Sequence, residues 1–446
     1  MQEPEDRLLL KLQMLLCNEF INRRRLRTAG GVGLICMAAL SSPAAYAQHA
    51  YSWQELRERF EAANPTLQAA QVSVDEARAA EITAYLRPNP DFTLSQDGTQ
   101  LAPYQGIWRP FSGTQVSPSI SYLHERNQKR ELRRDSAKQS TEIAQSTLQD
   151  QRRTLLFNLR TAFVQTLQAK AYLQLARDNL AFWDKTLAVS SDRFKSGDIA
   201  EIDLHKLELQ RVQYESDIQT ASVSLRTAKI QLLTLMNDRT PVEQFDVAGP
   251  FDFPARVPPL DEFRQAAVES RPDLKAAAQN VELAKVNHRL AVANGSTDPT
   301  VSVWTTHNPS FNNPFVNNTL GASVSVPLRF FDRNQGEKLR TQLDITRTGK
   351  LLGAAQAQVF SDVDSAYATL NSNLNLLRPY KAKYLQLAAQ VRDTISFSYQ
   401  RGGASLLFIS AENDYRSVQL NYTNLVAAYL NAAGQLNLAV GREVLP

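Results

Sequence analysis

Cysteine is almost absent from this chain of 446 residues: Cys17 and Cys36 are the only two, and both lie in the first 47 positions. That stretch has the parts of an export signal. Arg23-Arg24-Arg25-Leu26-Arg27 is basic, Gly30 to Leu40 is a short apolar run, and Ala45-Tyr46-Ala47 is a small-x-small cleavage site before Gln48. Segment 1–47 is therefore expected to be an upstream extension with a cleavable signal peptide. Leu34-Ile35 ahead of Cys36 lacks the small residue that lipid attachment would want. Without that segment the chain has no thiol for a disulfide, a thiolate site or a nucleophile. Charge of one sign is lacking too: the first 47 residues take six basic and four acidic side chains with them, leaving 43 and 41, a net of +2. A nucleic-acid partner would require a strongly basic face. After the signal, no apolar run approaches the 18 residues of a membrane helix, so any bilayer crossing falls to strands. His49, His124, His205, His288 and His307 each stand alone, with no second histidine at i+3 or i+4 and no thiolate. A metal site needs converging ligands. No nucleophile–base pair, phosphate loop or carboxylate cluster stands out, so neither catalysis nor a cofactor is expected.

Proline and glycine are missing from Asn127 to about Phe194. If helical throughout, that stretch is a rod of roughly 100 Å. A rod of this length needs partners along it. Leu155, Leu159 and Ala162, then Leu173, Ala176 and Leu180, supply a narrow apolar stripe at 3–4 spacing.

What the chain does contain, it contains twice. Asn64-Pro65-Thr66-Leu67 returns as Arg271-Pro272-Asp273-Leu274, and Arg126-Asn127-Gln128 as Arg333-Asn334-Gln335. Lys195-Ser196-Gly197 returns as Gln400-Arg401-Gly402, so the offset stays within 205–207 residues. Each copy reads as helix, two strands, very long helix, glycine turn and returning helix. The first helices are expected over Trp53 to Leu86 and Leu260 to Ala293. A second rod runs from about Asn334 to Tyr399, broken by Gly336, Gly349, Gly353 and Pro379, and the returning helices cover Glu201 to Met236 and Leu406 to Val440. A returning helix stacked end to end on a first helix would match one rod in length. The organisation expected is a first repeat over 51–240, a Pro-rich linker over 241–259 and a second repeat over 260–441.

Strands are expected at about 92–99 and 114–123, and at about 300–306 and 320–329. Val116, Pro118, Ile120 and Tyr122 alternate with polar residues, as do Leu320, Ala322, Val324, Val326 and Leu328. Period two over about ten residues fits a half-buried strand, or a barrel strand with one face to lipid. Trp108, Trp304, Phe330 and Phe331 flank the strands as an interfacial girdle would. Aligned on Asn127 and Asn334, the apolar phases of the two second strands differ by one residue, which a bulge at Pro118 would reconcile. Four strands cannot close a barrel, and an open edge is not tolerated in lipid. Membrane-spanning strands would therefore require several chains.

In this order of elements, in the Asn-Pro-x-Leu opening and in the glycine hairpin tips, residues 51–441 resemble the TolC-type outer-membrane efflux ducts. Phe331-Asp332-Arg333-Asn334-Gln335-Gly336 after Pro327-Leu328 looks most like the CzcC-like heavy-metal branch. The resemblance implies a mainly α protein with transmembrane β: a homotrimer with a 12-stranded outer-membrane barrel, continued by a periplasmic α-helical barrel. It also implies docking on a periplasmic adaptor and a proton-driven inner-membrane pump of the resistance-nodulation-division type. Asp203 falls where the family has an acidic constriction residue, whereas Phe408 falls where TolC has an aspartate. Phe408 and Leu407 are thus expected to narrow the mouth hydrophobically. Lys195, Ser196, Gly197 and Asp198, with Gln400, Arg401, Gly402 and Gly403, are the expected adaptor-docking tips. The basic run Arg126 to Arg134 reads as a lipid or adaptor contact or as a solvated helix start. Within this class the cargo stays open among metal cations, organic toxicants and secreted protein. Outside it, the competing readings are a periplasmic adaptor and a structural coiled-coil protein.

Overall fold

The computed structural model describes residues 50–254, 257–308 and 317–445. The signal segment and most of the Asn308 to Asn318 loop lie outside the described residues.

Prolines set the first departure from expectation. Trp53 to Leu86 is two helices, α1 (Trp53–Ala63) and α2 (Pro65–Tyr85). The second copy divides the same way, into α5 (Leu260–Ser270) and α6 (Pro272–Asn294). A residue before proline is pushed out of the helical region. Asn64 and Arg271 accordingly hold extended ψ values of 117° and 120°, and each proline becomes the first residue of the next helix.

The first rod is continuous: α3 runs Lys129–Lys195, 67 residues, and α4 (Glu201–Leu235) returns beside it. In the second copy only Pro379 interrupts. Helix α7 (Gln335–Pro379) passes through a π-turn, Tyr380–Tyr384, into α8 (Leu385–Gln400), and α9 (Ser405–Val440) returns. Gly336, Gly349 and Gly353 stay helical. Proline lacks an N–H and clashes with the preceding turn, and the wider π-turn absorbs both faults. Helix α3 packs α2 and α4 along one side and α6 and α9 along the other, with α7 and α8 flanking those last two. Of the expected stripe, Leu159, Ala162, Leu173 and Ala176 are buried, while Leu155 and Leu180 are partly so.

The end-to-end stack has a visible joint. Asn64 Oδ1 accepts from the Leu67 amide at 3.1 Å, and its Nδ2 donates to the Leu235 carbonyl at 3.3 Å. The end of α4 is thereby tied to the start of α2. In the second copy Arg271 donates to the Ala439 carbonyl at 3.1 Å and Ser270 to that of Val440 at 2.8 Å. Carbonyl ends thus meet amide ends, the favourable alignment of helix dipoles. Within the expected linker, residues 241–254 lie against these helices: Phe245 and Val247 are fully buried, and β4 (Asp246–Val247) pairs in parallel with β1 (Ala50–Tyr51). Both repeats belong to one unit, Gln48–Pro446.

The remaining strands form one antiparallel sheet in the order β2 (Asp91–Asp97), β3 (Gln115–Leu123), β5 (Thr300–His307) and β6 (Asn318–Ser325). Register runs unbroken through Pro118, opposite Leu94, so the bulge expected there is absent. The phase conflict dissolves in the caps instead. Helices α3 and α7 begin after left-handed residues Gln128 and Asn334. That is an offset of 206, which brings Val116 into phase with Ala322 and Pro118 with Val324.

Candidate functional site

Two features carry whatever the chain does: a sheet with opposed faces, and the paired ends of the helical hairpins. In the sheet, cross-strand partners share a face. Phe92, Ile120, Val303 and Ala322 form one rung, with Leu94 and Pro118 on the next and Tyr122, Val301 and Val324 beyond. The opposite face reads Ser95, Ser117 and Thr306, then Thr93, Ser119, Trp304 and Gly321, then Ser121, Ser302 and Ser323. Ser117 and Thr306 share a hydroxyl hydrogen bond of 2.9 Å. The apolar face is bare, with Phe92 68%, Leu94 64% and Leu320 81% exposed. Such a continuous apolar surface on a sheet has no place in water. Trp304 departs from the girdle expected of it: it lies on the hydroxyl face, over Gly321, where a Cβ would come within 2.4 Å of the ring. Trp108, Phe330 and Phe331 are exposed.

The basic run at the start of α3 is an anchor rather than a solvated helix start. Lys129 is buried and donates to Asp298 at 2.5 Å and to the Ser296 carbonyl at 3.0 Å. Arg133 grips Glu125, and Arg130 and Arg134 sit 4.3 and 4.7 Å over the Tyr85 ring. Helix and sheet are joined there.

At the far end the two tips close by the same bonds. Asp198 N–H donates to Arg193 O at 2.8 Å, and Gly403 N–H to Ser398 O at 3.0 Å, around left-handed Gly197 (φ 82°) and Gly402 (φ 105°). This is the Schellman closure that glycine permits without strain. Lys195 pairs with Asp192 at 3.1 Å, the Ser196 hydroxyl donates to the Asp192 carbonyl at 3.0 Å, and Arg401 stacks 3.8 Å over Phe397. Lys195, Ser196, Gly197, Asp198, Gln400, Arg401 and Gly402 are exposed, while Gly403 is half-buried.

Between the hairpins lies a clasp that the sequence reading missed. Trp183, Leu207, Tyr214, Tyr399 and Phe408 form one buried cluster, with Phe408 stacked between Tyr399 at 4.9 Å and Trp183 at 5.6 Å. Phe408 is 0% exposed. The expectation that it narrows a mouth is therefore corrected: its ring is spent inside the protomer, where burial of an aromatic yields most. Leu407, one residue before it, does point outward at 61% exposed. Asp203 accepts from the Ser405 hydroxyl at 2.8 Å and lies 3.5 Å from Lys206, so it bridges the hairpins. Ser190 bonds the Tyr399 hydroxyl at 2.9 Å, Arg193 donates to the Tyr399 carbonyl at 2.6 Å, and Arg416 pairs with Asp217. Aromatic residues in helices otherwise rich in Gln, Ser and Ala were the available signal.

His288 bonds Thr341 at 2.9 Å and His307 bonds Asn318 at 2.8 Å. Among the described residues no three His, Cys, Asp or Glu converge, and no helix is long and apolar enough to cross a membrane.

Residues 56–238 match the model of the outer membrane efflux protein family. With the fold, that match points to a class, the outer membrane efflux proteins, which the chain is similar to over its first repeat. Within the class the chain is similar to the cobalt-zinc-cadmium resistance protein CzcC of Cupriavidus metallidurans, 23% identical across 85% of this chain and 87% of that protein. The fold is that of the outer membrane protein VceC from Vibrio cholerae (TM-score 0.71, 15% identity, 87% of this chain and 96% of that one). It is equally that of CusC (TM-score 0.72, 16% identity, 87% and 92%).

Proposed function

We infer that the protein is the outer-membrane exit duct of a tripartite efflux system. Three chains join their four-stranded sheets into a 12-stranded barrel, and their helices continue it as a periplasmic tunnel. The duct is passive: a periplasmic adaptor docks on the hairpin tips, and a proton-driven inner-membrane pump supplies the cargo. One observation carries this reading, the sheet with one apolar face bare, one hydroxyl face and two unpaired edges. In water the apolar face would aggregate, and in lipid the edges must be paired by further copies. Likeness to CzcC favours heavy-metal cations as cargo. A duct for organic toxicants or for type I protein secretion is the second reading, because the hydroxyl face carries no metal-selective ligand set.

Val303→Arg tests the barrel. It sets a charge on the apolar face, costing about 2–4 kcal/mol per chain at mid-bilayer. The expected result is loss of heat-stable oligomers from the outer-membrane fraction. Ser302→Arg, one residue away on the hydroxyl face, is expected to keep them. Equal tolerance of both variants would overturn the barrel reading. Cargo is read separately, from the sensitivity of a deletion strain to zinc, cobalt and cadmium against organic toxicants.

A further inference from the structure

Glu412 is the one carboxylate at the clasp that nothing explains. It lies on α9 one turn beyond Phe408, hence on the same face, toward the first hairpin. It is 5% exposed, and its Oε1 has no hydrogen-bond partner. A buried ionised carboxylate without a partner is among the costliest groups a protein can hold.

The surrounding cations are all engaged elsewhere. From α8, Arg392 donates to Asp393 at 2.7 Å and stacks over Tyr415 at 4.0 Å and Phe182 at 5.0 Å. On α9 itself, Arg416 is held by Asp217 of α4. Asp393 adds a like charge, Tyr214 from α4 offers a buried phenol, and α3 brings Trp183 and Phe182. Burial is the main influence on the Glu412 carboxyl; Arg392 opposes it, Asp393 reinforces it, and the carboxyl is pushed up to about 7.

We propose that Glu412 is the proton-operated element of the clasp: neutral, it lets the two hairpins stay packed, and ionised, it drives them apart. Clasp geometry alone supports this. That the parting widens the duct's mouth rests on the function proposed above.

The sign follows from linkage. The packed state holds its proton to a higher pH than a hydrated carboxylate with an ordinary pKa near 4.5. Packing is therefore fully favoured below about pH 4.5 and loses ground up to about pH 7, with the full penalty above that. Between pH 5.5 and 8.5 the opening equilibrium should rise on the order of 30-fold.

The chain without its signal has no cysteine, so one introduced thiol reports cleanly. Ser396 on α8 is 8% exposed, one turn from Tyr399. The oligomer of the chain from Gln48 onward, in detergent and carrying Ser396→Cys, would be labelled with a maleimide across that pH range. Exposed Ser196→Cys corrects for thiolate content. The corrected rate is expected to climb about 30-fold, because slow labelling of a transiently open state follows its population. Adding Glu412→Gln should flatten the profile at the low-pH rate, with thermal unfolding confirming that this variant is folded. A flat wild-type profile, or an unchanged slope in Glu412→Gln, would overturn the proposal. Conductance in planar bilayers separates the two readings. Labelling that follows pH in a chain that conducts nothing supports the clasp and sinks the duct.

Discussion

Phe408→Ala should weaken the hairpin end by about 3–5 kcal/mol, the usual cost of deleting a fully buried phenylalanine together with the cavity left behind. The ring touches Tyr399 and Trp183, and nothing of it reaches solvent. A pore-lining phenylalanine would behave in the opposite way: its removal would change conductance and leave stability nearly untouched. Chemical denaturation followed by tryptophan fluorescence decides between them. A midpoint within experimental error of wild type would restore the hydrophobic gate and refute the clasp. Trp183 donates its indole N–H to the Leu207 carbonyl at 3.0 Å, so its emission should shift red as the clasp loosens.

Arg271→Ala is expected to cost about 3 kcal/mol, at the low end for breaking a buried ion pair. Arg271 is buried and reaches Asp273 at 2.6 Å, Asp362 at 2.9 Å and the Ala439 carbonyl at 3.1 Å. Burial opposes its charge, but the two carboxylates outweigh that and hold its pKa above the ordinary guanidinium range. The low end is chosen because the orphaned carboxylates are each about one-third exposed and can hydrate. The pH signature is specific. Burial opposes the Asp273 charge as well, yet Arg271 and Arg153 hold its pKa below the usual carboxylate value. Its stabilising share is thus present above about pH 4 and lost as pH falls through the lowered value. The gap between wild type and variant should narrow below about pH 4. A gap constant from pH 7 to pH 3 would show that packing alone, not charge, sets the cost.

Much of this is legible in the sequence. The rods, the glycine tips and the four strands follow from long-range absence of helix breakers and from period-two alternation. Both are local rules that tertiary contacts reinforce. The failures have particular causes. Asn64-Pro65 and Arg271-Pro272 read as the interior of longer helices because an alanine-rich stretch masks a proline at a helix start. Identical letters suggest a bulge at Pro118; the left-handed caps at Gln128 and Asn334 differ in residue type yet fix the same geometry. For Phe408 the resemblance supplies a position and the side chain a different preference. A substitution from carboxylate to phenyl moves a residue from water to core, and the helix has only to turn that face inward. Glu412 left no mark in the sequence, since nothing local says that a glutamate among polar neighbours will face a hydrophobic seam.

The two free edges of the sheet, β2 on one side and β6 on the other, bear on genetics as well as on geometry. A strand edge has no partner in its own chain, so the outermost strands are complete only when a neighbour supplies the missing ladder. In the proposed trimeric barrel, insertion and assembly then become one event, steeply dependent on how many copies are at hand. A chain with a damaged β6 but a sound β2 could still enter that proposed ring of three and spoil it. If healthy and damaged copies are made in equal amounts and mix freely, only about one ring in eight is wholly healthy. An edge-strand lesion should therefore be dominant, whereas a lesion that unfolds the whole chain, and keeps it out of every ring, should be recessive.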